Sequence, residues 1–596
     1  MSAPGWSEVL PTPPAGGSLL EAWLTTFDQP EAGLLVEHLL PSLLGVNHSL
    51  SHELQERMLF FGELGTALER LHGRLTLISS PPQAAREVPQ YPWLWRYVSH
   101  FTVGAESRAV QHAKLWAFHW KVGNTEQLDL YVSSTNLTAS AFKAQMQAAW
   151  KASLQPNRPV TMKARRSWGE LVPFLEALGT SAGANARKRI DRLIQLLAKA
   201  ECPNGVSFVA STPGGSRRGT QALKELAPSA IHILTPTVGD WSKNTLTAWS
   251  KDIGINPEKI HLKWLDADHP WATGGGWTLT EQARNVLREK GVRLDRLPPD
   301  AQFSEKRVDG DPRWSHAKLY LLSVHRKRKR HLLVTSANWS PSAWGAGKDE
   351  HPRNFELGVL FETDWKMLED ITGTLATPFC AARPHVGSAK LQWAEATWDG
   401  KRIELRARCS DSSTPLRAIV SFSGGATEDV SLVSGAAALP WKDPNNTPLT
   451  VQFTQNIETL EVNVVDLRPP AEFARTPLVE VDPSLAAALR DAFLLQRYGG
   501  PAVDVDSIPG LGPPRTPPGM FAPVANYSVQ AWLDGRAGFA VVDQWRAAFS
   551  DARQDPVLLD RVRLDGQDLH ALYQRREGPA AGLIAEELGW RLKEEA

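Results

Sequence analysis

The chain writes one pattern twice. "VQHAKLWAF" runs from Val110 to Phe118 and "WSHAKLYLL" from Trp314 to Leu322, each with a histidine and a lysine two apart at the head of an apolar run. Side chains alternate faces along a strand, so His112 shares a face with Lys114, and His316 with Lys318. The first copy passes through a polar turn, "KVGNTEQ", into a second strand, "LDLYVSSTN", a hairpin signal; the second copy returns through "HLLVTSANWS". In the returning strands Val132, Ser134 and Asn136 stand two apart on one face, as do Val334, Ser336 and Asn338. From His to Asn is 24 positions in one copy and 22 in the other, and the two histidines are 204 positions apart. The simplest account is an internal duplication whose halves meet about a pseudo-twofold axis. One site would then hold two His, two Lys and two Asn.

The rest of the chain arranges itself around these hairpins. Residues 1 to about 70 read as loop and weak apolar segments. "ASAFKAQMQAAWKA" (Ala139 to Ala152) reads helical, and "NARKRIDRLIQLLAKA" (Asn185 to Ala200) places Ile190, Leu193, Ile194 and Leu197 on one helical face with basic residues opposite. "VSFVASTPGG" and "IHILTPT" continue the alternation of strands and helices, which indicates an α/β class. From about Lys390 short alternating segments ("KRIELRARC", "RAIVSFSGG", "TVQFTQ", "LEVNVVDL") predict an antiparallel β-sandwich. Beyond it, "SLAAALRDAFLLQRY" reads helical, "GLGPPRTPPGMFAP" breaks the chain, and charged helices close it. The expected division is a first lobe at 1–200 with a divergent N-terminal segment, a second lobe at 201–385, the β-sandwich at 386–475 and a helical region at 476–596.

Composition narrows the partners. Lys plus Arg and Asp plus Glu both total 65 in 596 residues, so no whole-protein field favours nucleic acid or an anionic membrane, and any basic surface is local. Cys202, Cys380 and Cys409 are scattered and odd in number, which argues against a disulfide framework or structural zinc and for a reducing cytoplasm. No basic and apolar leader opens the chain and no membrane-length apolar run occurs, so a soluble, unexported protein is expected.

Two histidines, two lysines and two asparagines suit phosphodiester chemistry. The lysines and amides supply donors for nonbridging phosphate oxygens. One imidazole attacks phosphorus to form a phosphohistidine; the other, protonated, donates to the leaving oxygen and later takes a proton from water. No metal or cofactor is needed, because the lysines neutralise the phosphate. A lone His-x-Lys on a strand is more often core or surface; two copies with matching Ser-x-Asn strands favour catalysis.

At this point the chain resembles the phospholipase D superfamily, whose bilobal members carry two such motifs. The usual aspartate seven residues after each histidine is replaced here by His119 and Ser323. That departure points toward the tyrosyl-DNA phosphodiesterase branch, to which "LLVTSANWSPSAWGAGKDEHPRNFELGVLFET", "VSSTNLTASAFKAQMQAAW" and "VASTPGG" are similar. The resemblance spans about residues 111–363. It implies that His112 is the nucleophile and His316 the general acid, that Lys114, Lys318, Asn136 and Asn338 bind phosphate, and that Gln147 and Glu356 orient the opposite lobe's histidine.

The resemblance further implies a DNA 3′ end or adduct as substrate, on a scaffold that also supports plain nucleases. The basic run Arg326, Lys327, Arg328, Lys329 and Arg330, read as a hairpin tip beside the site, would contact phosphates without reading sequence, extended by Arg187, Lys188, Arg189 and Arg192. Trp116, Trp339 and Trp344 read as core. The alternatives are a lipid phosphodiesterase, disfavoured by the lack of an amphipathic membrane stretch, and a nuclease subunit or scaffold of a multi-protein genome-maintenance or defence complex, using the β-sandwich or C-terminal helices to meet a protein partner.

Overall fold

The computed structural model describes residues 10–466 except 49, 51–53, 72, 81–90, 92–93, 96, 104–108, 158–166, 216–218, 273–275, 300–313, 325–328, 347–350, 382–390, 410–414, 423–424, 444–445 and 456–457. Beyond 466 it describes 491, 494–495, 498, 536–553, 556–575 and 579–594.

The first unit contains β1 (Gly17–Thr25), β2 (Leu75–Ser79), β3 (Val98–Thr102), β4 (Val110–Gln111), β5 (Lys114–Val122), β6 (Thr125–Ser133), β7 (Gln145–Met146) and β8 (Ala149–Leu154). Six of these form a mixed sheet in the order β3-β2-β1-β5-β6-β8. β1, β2 and β3 run parallel, with the helix Leu54–Leu71 between β1 and β2; β5 pairs antiparallel with both β1 and β6. The β5–β6 turn is only Gly123 and Asn124, and Gly123 has φ 57°, the left-handed backbone that tight hairpins require.

The structure corrects two readings of this region. Residues 17–25, expected as loop, form a central strand. From Glu21 to Thr25 every residue is buried, because helices cover both sheet faces, and such a strand shows no polar alternation. Residues 139–152, expected as one helix, are helical only over Ala139–Lys143 and then give β7 and β8. Their Ala, Lys and Gln favour a helix, but pairing of β8 with β6 and of β7 with the distant strand Trp314–Ser315 overrides local propensity.

The second unit contains β9 (Val206–Ser211), β10 (Ala230–Leu234), β11 (Ile260–Trp264), β12 (Arg293–Arg296), β13 (Trp314–Ser315), β14 (Leu319–Val324), β15 (Lys329–Thr335) and β16 (Asn354–Thr363). Its sheet runs β12-β11-β10-β14-β15-β16, with β9 against β16. β10, β11 and β12 are parallel, separated by the helices Lys243–Ile253 and Glu281–Glu289; β10, β14, β15 and β16 are antiparallel neighbours. Strand for strand, the pairing directions repeat those of the first sheet.

Two short parallel pairings join the units. β4 pairs with β16, and β13 with β7. Beneath them a shared core gathers Leu130, Val132, Phe174 and Leu193 from the first unit with Phe208, Phe355 and Val359 from the second. Trp116, Trp339 and Trp344 are buried, the latter two in the second unit's core with Trp241 and Trp249.

β17 (Leu391–Trp398), β18 (Arg402–Cys409), β19 (Leu416–Phe422), β20 (Thr427–Leu432), β21 (Ala436–Pro440), β22 (Pro448–Gln455) and β23 (Glu458–Asp466) follow, in the order β20-β19-β22-β23-β17-β18-β21. All neighbours are antiparallel except β17 and β23, and they enclose a core of their own around Leu405, Val420 and Phe453. Three helices, Arg536–Ala552, Pro556–Gln574 and Pro579–Glu594, pack around Trp545, Leu569 and Leu588. The expected helix Ser484 to Tyr498 lies mostly, and the Pro/Gly stretch Gly510 to Pro523 wholly, outside the described residues. Among the described residues no helix is long and apolar enough to cross a membrane.

Candidate active site

Each His-x-Lys sits where the chain leaves one unit for the other. His112 follows β4, which pairs with β16, and Lys114 opens β5; His316 follows β13, which pairs with β7, and Lys318 precedes β14. The backbone amide of His112 donates to Phe355 O at 3.0 Å, and that of His316 to Met146 O at 2.9 Å. The next residues along, Glu356 and Gln147, therefore project beside the opposite unit's histidine.

His112 Nδ1 lies 2.9 Å from Glu356 Oε2. Glu356 also accepts from Ser336 Oγ at 2.5 Å and, through Oε1, from Asn354 Nδ2 at 2.9 Å. His316 Nδ1 lies 3.3 Å from Gln147 Oε1, which accepts from Ser134 Oγ at 2.7 Å. The serine of each Ser-x-Asn strand thus steadies the residue that reaches across to the other unit's histidine. A carboxylate accepts only, so His112 carries its proton on Nδ1 and presents the Nε2 lone pair.

The lysines are fully buried. Lys114 Nζ donates to His112 O at 2.7 Å; Lys318 Nζ donates to His316 O at 2.8 Å and lies 2.9 Å from His316 Nε2. Asn136 Nδ2 donates to Asp28 Oδ2 at 2.7 Å, and its Oδ1 accepts the Phe27 amide at 3.3 Å. Asn338 Oδ1 accepts from Thr235 Oγ1 at 3.2 Å. An aromatic ring meets each imidazole edge-on: Phe27 at 5.0 Å from His112, and Trp314 at 5.6 Å from His316.

Burial shapes the electrostatics. It pushes the Lys114 ammonium down to about 8, against the pull of Glu356 and Asp28. Burial and the neighbouring Lys114 push Lys318 well below the usual lysine range. Burial lowers His112 too, more than Glu356 raises it; His316 is held well below the ordinary imidazole value by burial and then by the Lys318 and Lys114 charges. Burial works to raise Glu356, but His112, Lys114 and the Ser336 hydroxyl outweigh it and keep the carboxylate ionised. The resting site thus pairs two lysines with two neutral imidazoles. Such a site attracts an anion and offers an unprotonated nitrogen to attack it.

The structure therefore brings together His112, Lys114, Asn136, Gln147, His316, Lys318, Asn338 and Glu356. Of the basic run, only Lys329 and Arg330 are described, and they are placed elsewhere. Arg326, Lys327 and Arg328 lie outside the described residues. Lys329 and Arg330 pair with Val324 and Ser323 at the far end of the hairpin, about 17 Å along the strands from Leu319, which adjoins the site. They form ion pairs with Glu362 and Glu369. For Lys329 and Arg330 the expectation of a basic run beside the site is corrected: the hairpin opens at the site and carries these two away from it. Arg187 and Arg192 likewise bind Asp191 and Glu21.

The residues that sequence reasoning missed are Phe27 and Asp28, just after β1. Their only signal is position: the strand central to the sheet ends level with the head of β5. His119 and Ser323, where the wider superfamily carries aspartate, stand well along β5 and β14 from the histidines, so their identity leaves the site intact. Among the described residues no group of three or more His, Cys, Asp or Glu side chains is disposed to hold a metal ion.

Residues 286–397 match the profile of the family described as tyrosyl-DNA phosphodiesterase, a stretch that includes His316, Lys318, Asn338 and Glu356. Over that stretch the chain is similar to that family. No curated protein sequence matches the chain. Among solved structures, yeast tyrosyl-DNA phosphodiesterase aligns with 63% of this chain and 95% of its own at 17% identity and a TM-score of 0.43. Polyphosphate kinase from Porphyromonas gingivalis aligns with 59% of this chain and 41% of its own at 11% identity and a TM-score of 0.27.

Proposed function

From the family match over residues 286–397 and the paired histidines, we propose that this chain is a metal-independent phosphodiesterase acting on DNA, through a phosphohistidine on His112. The carrying observation is the unequal support of the two imidazoles. His112 leans on a carboxylate, which raises the basicity of its free Nε2 and stabilises the cation that forms on attack. His316 leans on an amide, which leaves it the weaker base and hence the better acid.

The reaction runs in two displacements. His112 Nε2 attacks phosphorus, a P–N bond forms, and the bond to the leaving oxygen breaks as His316 delivers its proton there. Lys114, Lys318, Asn136 and Asn338 hold the nonbridging oxygens. Neutral in the resting site, His316 gains its proton when the substrate's negative charge draws the lysines away from it. Water then gives a proton back to His316 and attacks phosphorus, the P–N bond breaks, and a phosphomonoester leaves.

The same reading treats the two α/β units as pseudo-symmetric lobes, supported by their matching strand orders. It treats residues 391–466 as a β-sandwich and the C-terminal helices as a separate appendage, either of which suits a protein partner; separate cores support this. The three cysteines, scattered along the chain and odd in number, support a reducing, cytoplasmic setting.

The test incubates the protein, with EDTA, on 3′-phosphotyrosyl, plain single-stranded and duplex DNA, and on phospholipid vesicles. Cleavage of DNA is expected, and the His316→Ala variant should accumulate a covalent protein–DNA adduct that is absent when His112 is also replaced. Cleavage that needs Mg²⁺, an adduct independent of His112, or headgroup release without DNA cleavage would each sink the reading.

The lysines set an alkaline limit. Above pH of about 8 Lys114 loses its proton and its hold on phosphate, so kcat/KM should fall about tenfold per pH unit between 8 and 10. A pH–rate profile flat to pH 10 would remove Lys114 from phosphate binding.

A further inference from the structure

We propose that Asp28 makes the site select by charge, admitting singly charged phosphodiesters and rejecting doubly charged phosphomonoesters, including the reaction's own product. The proposal rests on the phosphodiesterase reading above and names a specificity device within it.

Asp28 is held in place by its neighbours. Thr25 Oγ1 donates to Ala113 O and accepts from the Leu115 amide, both at 2.8 Å, while the Leu137 amide donates to Thr26 Oγ1 at 3.0 Å. The segment is thereby clamped between the residues that carry Lys114 and those that carry Asn136. One hydrogen of the Asn136 amide goes to Asp28 Oδ2 at 2.7 Å, and the Phe27 amide fixes Oδ1, so the other hydrogen is left for substrate. A phosphate oxygen bound by that second hydrogen lies about 5 Å from the Asp28 carboxylate, two hydrogen bonds apart at one nitrogen.

Orientation of the asparagine does not call for a carboxylate. In the second unit Asn338 is held by a neutral hydroxyl, Thr235 Oγ1, at 3.2 Å. Asp28 therefore brings a charge that its counterpart does without, and its field reaches both Lys114 and Lys318. With Glu356 engaged by His112, two lysines face two carboxylates across the site. A diester carries one negative charge and completes this set as His316 takes up its proton. A monoester carries up to two at neutral pH, and the second is set against Asp28. Hydrolysis turns the first species into the second, so repulsion appears as the reaction finishes and favours release.

Dimethyl phosphate and methyl phosphate, titrated at pH 7 by calorimetry or phosphorus NMR, where Lys114 keeps its proton and the monoester is mostly doubly charged, separate the two charges without requiring turnover. Asp28→Asn keeps an acceptor for Asn136 and removes only the charge. It should raise affinity for methyl phosphate about tenfold relative to dimethyl phosphate. Asp28→Thr, which offers Asn136 a neutral hydroxyl acceptor in place of the carboxylate, should change the ratio in the same way and serves if the first variant does not fold, as judged by its melting transition. A ratio within twofold of the wild type in a folded variant overturns the proposal and leaves Asp28 as an anchor for Asn136. Wild-type protein that shows the charge preference but cleaves no DNA would refute the DNA phosphodiesterase reading alone; wild-type protein that binds neither phosphate would refute both.

Discussion

Replacing His112 by alanine is expected to lower kcat/KM for DNA cleavage at least about 1000-fold, with KM changed only a few-fold and no covalent adduct formed. The split follows from the division of labour in the site. In the proposed mechanism Lys114, Lys318, Asn136 and Asn338 hold phosphate and remain; what is lost is the proposed nucleophile, and a positioned nucleophile with its partner acid supplies most of the chemical step. The substitution also leaves Glu356, 2% exposed, with one donor fewer, although Ser336 and Asn354 still serve it. The stability cost should be about 1–3 kcal/mol, so a melting curve must accompany the kinetics. Activity within tenfold of the wild type in a folded His112→Ala protein would mean that another group attacks phosphorus.

Much of this site could be read from residue spacing, because strands repeat every two residues and the same face occurs twice. His112, Lys114, Ser134 and Asn136 are legible in that way, as are their counterparts at 316, 318, 336 and 338. The serines' work was not legible: that Ser134 holds Gln147 and Ser336 holds Glu356 depends on strands that cross between units. Those crossings, β4 with β16 and β7 with β13, are two residues long and leave no periodic trace. The same non-local pairing replaced the end of the helix expected over 139–152 with β7 and β8. Asp28 was hidden for a different reason. Its strand is buried on both faces and so shows no alternation, and nothing in the second copy echoes a carboxylate there, since Leu234 is followed by Thr235 and Pro236. The misplaced basic run was an error of direction. Lys318 and Lys329 are close in sequence, yet the hairpin that starts at the site carries Lys329 and Arg330 away from it.

Glu356→Gln should prove nearly as damaging as loss of the nucleophile, though it removes no atom that touches phosphate. In the wild type, Glu356 accepts three hydrogen bonds, from His112 Nδ1, Ser336 Oγ and Asn354 Nδ2. An amide of the same shape offers one oxygen and one NH₂ group to three donors. If the NH₂ faces His112, the imidazole must accept at Nδ1 and carry its proton on Nε2, where no lone pair is left for attack; if it faces Asn354, two amide nitrogens oppose each other. A comparable carboxylate-to-amide change beside a catalytic histidine costs about 10⁴-fold through the wrong tautomer, and a fall in kcat of about 100- to 1000-fold is expected here, where the second arrangement remains open. A second readout separates this from simple damage to the fold. The Glu356 charge is the largest influence raising the Lys114 ammonium, which burial has already brought down to about 8. Removing that negative charge disfavours the protonated amine further, so the alkaline limb of the pH–rate profile should move to lower pH. A variant with reduced kcat and an unshifted limb would show that Glu356 only packs against His112; a limb displaced toward acid, with KM at pH 7 raised as well, would tie nucleophile and phosphate clamp to one buried carboxylate supplied by the opposite unit.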